Sequence, residues 1–223
     1  MAEIIPSGLI SEMSGKLGLT VFYRRKNKLI QRAWAKPTKP RTPSQISCGH
    51  AWQSLRLSWG SLSEDQRQSW EFAAVQLFFT DSVGNQYHPS GYILYLKCNT
   101  NLNYAGLTTI PRFVTPLPVL ELYSPSLISP LVISFPNQTT QSNINYLIYA
   151  TKSLSSGIKN GNKYLRFIGV LPHNTTGSFN ILSLYTALFP APVTGCKIFI
   201  KLIPVEINSG LSSLPLFFHS IIS

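Results

Sequence analysis

From Ile110 to the C-terminus no apolar run keeps the three-to-four spacing of a buried helix, and that absence restricts the second half of the chain to a β fold. Short stretches rich in Ile, Val, Tyr and Phe are divided there by clusters of Pro, Gly, Asn and Ser. They are Val119–Tyr123, Leu131–Phe135, Asn145–Thr151, Tyr164–Val170, Gly177–Leu184, Lys197–Pro204 and Leu214–Ser220. Runs of this length and composition suit a pleated, half-buried surface. Seven of them, starting 12–20 residues apart, predict an antiparallel sandwich of the fibronectin or immunoglobulin type. The Cys-Trp-Cys trio of antibody domains is missing, so the expectation concerns architecture alone.

Ahead of that half the texture is helical. Thr42-Pro43-Ser44-Gln45 places a hydroxyl at an N-cap, proline at the first helical position and a carboxamide at the third, the reciprocal capping arrangement. The stripe Cys48, Trp52, Leu55, Trp59 and Leu62 then predicts a helix that buries one face through about Trp59. Ser63-Glu64-Asp65-Gln66 repeats the cap, with two carboxylates where the helix dipole favours them. Trp70, Ala73, Ala74, Leu77 and Phe78 mark its buried side. Tyr92-Ile-Leu-Tyr-Leu by itself fits a strand, but Ser90 before it and Gly106 after it decide for a third helix over Ser90–Tyr104. Trp52, Trp59 and Trp70, at helical spacing on capped helices, are expected in the core of this small unit.

The first 41 residues are neither of these things. Leu19–Arg25 and Leu29–Lys36, joined at Lys26-Asn27-Lys28, read as a hairpin. Lys36-Pro-Thr-Lys-Pro-Arg-Thr-Pro43 follows, and its prolines remove backbone donors and hold the chain extended. The formal net charge of +11 is concentrated here, because no acidic residue lies between Glu12 and Glu64 while ten basic ones do. From Arg112 onward there are seven basic and two acidic residues, a far more dilute field. Charged residues make up only 12% of the chain, about half the usual share. Such a weakly ionic surface repels its own copies little and suits a protein that ends up packed in an assembly.

Sites of chemistry are scarce. Cys48, Cys98 and Cys196 are odd in number and far apart, which gives no disulfide framework and no metal-ligand spacing; three mostly buried thiols are expected. His50, His88, His173 and His219 sit in unrelated segments, and none of the common nucleophile, zinc or phosphate-cradle motifs occurs. No catalytic residue, cofactor or metal is therefore expected, and the chain reads as a non-enzyme. It lacks a signal-peptide pattern and any apolar stretch long enough to span a bilayer, so synthesis in the cytoplasm and no membrane span are expected. The candidate partner-binding or nucleic-acid-binding residues are Arg24, Arg25, Lys26, Lys28, Arg32, Lys36, Lys39 and Arg41, with Phe22, Tyr23 and Trp34 interleaved among them.

Several of these segments carry a resemblance. Ser14-Gly-Lys-Leu-Gly18 with Val21-Phe-Tyr-Arg24, Lys36-Pro-Thr-Lys-Pro-Arg-Thr-Pro-Ser-Gln45, Leu62-Ser-Glu-Asp-Gln-Arg-Gln-Ser-Trp70, and Gly91-Tyr92, Leu94-Tyr95, Asn99, Asn101-Leu102 and Ala105-Gly-Leu107 resemble a set of phage- and prophage-associated proteins of unassigned activity. Arg166-Phe-Ile-Gly169 and Pro192-Val-Thr-Gly-Cys-Lys-Ile-Phe-Ile200 are similar to fibronectin-like domains attached in some members. Lys39 stands where a small polar residue is expected, which makes the arm more basic here. The resemblance implies a virion or virion-assembly role and transfers no catalytic residue.

The combined expectation is an α+β chain. A basic hairpin, Pro-rich arm and three-helix unit occupy residues 1–110, a Pro-rich linker 111–118, and a fibronectin- or immunoglobulin-like sandwich 119–223. Its expected role is a structural component of a bacteriophage particle (capsid, decoration or tail) that contacts other virion subunits as a homo- or hetero-oligomer. The alternative is a nucleic-acid-binding packaging or nucleoid-like protein; a third reading is a host-surface adhesion module built on the sandwich.

Overall fold

Both hydroxyl–carboxamide signatures cap helices. In the computed structural model, which describes residues 2–4, 13–25, 28–35, 42–80, 86–115, 126–129, 131–139, 143–172 and 176–222, helix α1 runs Pro43–Ser61 and α2 runs Glu64–Gln76. The Thr42 hydroxyl accepts from the Gln45 amide at 3.3 Å while Gln45 Oε1 accepts from the Thr42 amide at 3.0 Å. Ser63 and Gln66 make the same reciprocal pair at 3.3 and 2.9 Å. Each pair satisfies two of the backbone donors that a helix start leaves unpaired.

The third helix is also present, as α3 over Gly91–Tyr104, with Ser90 Oγ accepting from the Ile93 amide. It ends where Gly106 turns left-handed at φ +71, the Leu107 amide bonding back to Leu102 and that of Gly106 to Asn103. That double bond is the Schellman termination. Helices α2 and α3 meet at Gly91, where a Cβ would lie 2.6 Å from the Glu71 backbone nitrogen, so no larger residue fits without displacing backbone. Asn99, fully buried, donates to the Tyr95 and Ile110 carbonyls and accepts from the Ile110 amide at 2.7 Å. Trp70, also fully buried, donates from Nε1 to the Pro111 carbonyl at 3.0 Å. With the Phe113 amide donating to Ser69 Oγ at 3.2 Å, these bonds strap residues 110–113 onto the helix pair.

The expected burial of the α1 stripe is corrected. Of Cys48, Trp52, Leu55, Trp59 and Leu62, only Leu55 is buried; Trp59 is half-buried against Tyr92 and Tyr95, and Trp52 is 45% exposed. From Pro43 to Ser54 every described side chain except half-buried Ala51 is exposed. On α2 the stripe holds for Trp70, Ala73 and Ala74, but Phe78 is exposed.

In the β half, strands β7 (Ser126–Ser129), β8 (Val132–Thr139), β9 (Ile144–Ala150), β10 (Arg166–Leu171), β11 (Thr176–Asn180), β12 (Lys197–Glu206) and β13 (Leu216–Ile221) build two antiparallel sheets that do not close into a barrel. One has the order β11-β8-β7 and the other β10-β9-β12-β13. A single apolar cluster joins them, with Leu131 and Ile133 from one side and Tyr146, Ile148, Ala150, Ile198, Ile200 and Leu202 from the other. The near-continuous apolar run of β9 follows from cover on both faces. Tyr146 and Ile148 face that cluster, while Leu147 and Tyr149 pack with Ala105 and Leu107 at the end of α3. β12 alternates instead, Ile198, Ile200 and Leu202 inward and Lys197, Phe199 and Lys201 outward.

Three expectations for this half are revised. Gly177–Leu184 is not one strand, because β11 ends at Asn180 and a short helix α4 follows over Leu182–Leu188. Asn180 Oδ1 accepts from the Leu182 amide and turns the chain, after which Tyr185 drops into the core. Strand β7 was not anticipated, and Val119–Tyr123 lies outside the described residues. Contacts also divide the chain elsewhere than at the Pro-rich 111–118 stretch: one compact unit comprises Met1–His50 with Phe79–Tyr87, the other Ala51–Phe78 with His88–Ser223. Helices α2 and α3 thus share a unit with the sheets. Asn101 Nδ2 donates to the Gly210 carbonyl at 2.9 Å, and a Cβ on Gly210 (φ +72) would lie 2.4 Å from the Cys98 carbonyl oxygen.

Candidate interaction site

The hairpin expected from residues 19–36 forms from β3 (Thr20–Arg25) and β4 (Lys28–Ala33), in a register that pairs Tyr23 with Ile30 and Arg25 with Lys28. It does not stand alone, which is a correction. β1 (Ala2–Ile4) pairs with β4, and β2 (Gly15–Leu17) with β3, giving a four-stranded antiparallel sheet of order β1-β4-β3-β2. Gly18, at φ +58, opens the two-residue turn between β2 and β3, a conformation in which a Cβ would be strained. The Trp34 amide extends the β3–β4 ladder past the Thr20–Ala33 pair by donating to the Leu19 carbonyl at 2.7 Å. A two-residue ribbon, β5 (Phe79–Thr80) with β6 (Gln86–Tyr87), completes this unit.

The register puts Lys16, Val21 and Arg32 in line across three strands, so their side chains leave from one face. Two cations there rest on rings. The Lys16 ammonium lies 4.1 Å from the centroid of Trp34, and the Arg32 guanidinium 5.8 Å from that of Tyr23. Both distances lie within the range of ring–cation attraction. Arg24 and Arg32 are exposed, as is Lys16. Leu17, Leu19 and Trp34 are also exposed, the last at 43%. Of the expected site residues, the structure brings Arg24 and Arg32 onto this sheet and sets Arg25 and Lys28 opposite each other in the backbone at its hairpin end. Lys26, Lys36, Lys39 and Arg41 lie outside the described residues. The Lys16–Trp34 contact was missed, since only the fold of β2 onto β3 reveals it. The sheet also carries an acidic residue, Glu3 on β1, in register with Ile30 of β4.

Elsewhere the titratable groups are scattered. His50 is exposed, His88 stacks on Phe78 at 4.1 Å with Nδ1 3.0 Å from the Leu77 carbonyl, and exposed His219 lies beside Phe199. Among the described residues no group of three or more His, Cys, Asp or Glu side chains is placed to hold a metal ion. The expectation of three mostly buried thiols is corrected at Cys48, which is exposed; Cys98 is buried and Cys196 half-buried. Burial pushes the Cys98 thiol up to about 12, with Lys97 opposing the shift and Glu206 adding to it. Among the described residues no helix is long and apolar enough to cross a membrane. Comparison of the chain with protein-family models, curated proteins and solved structures gives no match in any of the three.

Proposed function

We propose that this chain is a structural component of a bacteriophage virion, as a capsid, decoration or tail-associated protein, and that it acts through subunit–subunit contacts and not by catalysis. One observation carries the reading: the N-terminal sheet exposes Trp34 beside Lys16 and Arg32 on one face, and leaves Leu17 on its edge strand and Leu19 in the adjoining turn exposed as well. A solvated cation alone needs no partner, but an exposed tryptophan and leucines together with arginine are the composition of an interface. The strand order supports a fibronectin-type sandwich. Its fourth strand, β10, pairs with the third, β9, in the larger sheet, whereas the constant-type immunoglobulin order sets that strand in the other sheet. The segment resemblance to phage-associated proteins points the same way.

The test has two parts. Sedimentation of the full chain is expected to show concentration-dependent self-association or uptake into larger particles, and mass spectrometry of purified phage particles should detect its peptides at structural copy number. A chain that is strictly monomeric at high concentration and missing from particles would end this reading.

Nucleic-acid binding is the second reading, favoured by the Lys16–Trp34 and Arg32–Tyr23 pairs, each of which offers a phosphate-neutralising cation next to a ring that can stack on a base. Titration with a single-stranded oligonucleotide should then give log affinity falling linearly with log salt. No binding at low salt removes it.

A further inference from the structure

Among the described residues, helix α2 leaves an outer face exposed. Trp70, Ala73 and Ala74 are its buried side. Opposite them Glu64, Gln68 and Val75 recur at steps of four and seven residues, with Asp65 and Phe72 alongside, and Glu71 borders this face with its carboxylate accepting from the Gly91 amide at 2.9 Å. All six are exposed, Phe72 and Val75 each to 70%, more than an ordinary globular helix leaves to water. The face is apolar toward its C-terminal end and acidic toward its start. Glu64, Asp65 and Glu71 are the only carboxylate side chains exposed among the described residues, since Glu206 is buried among Asn208 and Ser209.

Resting on the assembly reading above, we propose that this outer face of α2 is the docking surface for the cationic N-terminal sheet of a second copy of the same chain. The two surfaces are complementary in kind: Lys16 and Arg32 with Trp34 on one, and Glu64 and Asp65 with Phe72 and Val75 on the other. They also match in size, since Glu64 to Val75 spans ~16 Å of helix and a four-stranded sheet is ~14 Å across. The sandwich has lysines too, Lys197 and Lys201 on its outer sheet face, but they belong to the dilute field of the second half. Nine basic residues against two acidic ones within residues 1–42 make the N-terminal stretch the denser field and the stronger attractor for a carboxylate-bearing helix. The contact joins two different surfaces, so each bound copy still offers one of each. Such head-to-tail contacts close into a ring or run on as a filament.

Charge exchange tests this directly in the full chain. In E64K/D65K the helix face becomes basic and meets a basic sheet; in K16E/R32E the sheet becomes acidic and meets an acidic helix. Each variant alone is expected to sediment as a monomer at ~100 µM, while an equimolar mixture, in which every junction pairs opposite charges, recovers the wild-type assemblies. F72Q/V75Q, at two exposed positions, is expected to lose assembly in every mixture and serves where the lysine variants unfold. Thermal unfolding of each variant separates lost association from lost folding. Wild type that assembles while the mixture does not would overturn the inference and leave the assembly reading standing. Recovery of E64K/D65K by K197E/K201E in place of K16E/R32E would overturn it in favour of the sandwich face. A wild-type chain that never assembles removes both.

Discussion

Three thiols of one chemical type differ here through their surroundings. Cys48 lies on the exposed first half of α1, while Cys98 is fully buried on α3 beneath the Gly210 backbone. With its pKa raised to about 12, only about one Cys98 thiol in ten thousand is ionised at pH 8, and that small fraction is also inaccessible. An alkylating reagent at pH 8 is therefore expected to label Cys48 in the native protein and to reach Cys98 only after denaturant is added, as read by peptide mass mapping. The same shift couples folding to pH. The folded pKa is above the ordinary 9.0, so the stabilisation is complete below pH 9 and is lost as pH rises toward 12, because the unfolded chain ionises first. Urea midpoints across pH 8 to 11 should fall on the alkaline side, and less steeply in Cys98→Ala. Labelling of Cys98 at the same rate as Cys48 would mean that α3 leaves the sheet far more readily than its packing implies. None of this was legible in the sequence, where the three cysteines look alike.

At the scale of elements, local chemistry was legible and partners were not. Both capping boxes, the Ser90 start and the Gly106 stop are written in short-range patterns, and all four form. A stripe such as Cys48–Trp52–Leu55–Trp59 states only that one face is apolar, and not whether the chain supplies something to cover it. Asn180 ended a strand that composition alone extended to Leu184, because one side-chain acceptor at a turn outweighs weak β-propensity. The difference between α1 and α2 leads to a paired prediction. Ser63 caps a helix whose Trp70 is locked in the core, so Ser63→Ala should lower global stability by about 1 kcal/mol in urea titration, and Ser63→Gly by a few tenths. Thr42 caps a segment whose described side chains are exposed up to Ser54 except Ala51. Thr42→Ala should therefore fray local helix, visible as faster amide exchange near residues 45–48, with an unchanged urea midpoint. Equal midpoint shifts for the two would show that the start of α1 unfolds with the core.

Over the whole molecule, the change of texture at Ile110 marks where helices give way to strands, but not where the chain divides into units. Trp70, Asn99 and Asn101 tie the helix pair to Pro111, Ile110 and Gly210, and bonds across such separations leave no local pattern to read. Charge, by contrast, was fully legible, and in the proposed assembly it governs how copies meet. With a net +11, two chains repel at long range, while the proposed sheet-to-helix contact pairs opposite charges at short range. Salt acts on the two at different lengths: the Debye length shrinks from ~30 Å at 0.01 M to ~8 Å at 0.15 M and ~3 Å at 1 M. The first step removes the general repulsion and spares close pairs; the second weakens the pairs as well. Self-association measured by sedimentation should therefore rise between ~10 mM and ~150 mM salt and fall again toward 1 M, a maximum that oligonucleotide binding, declining throughout, does not share. A steady increase through 1 M would assign the contact to Phe72, Val75 and their apolar counterparts alone, with the carboxylates of α2 as bystanders.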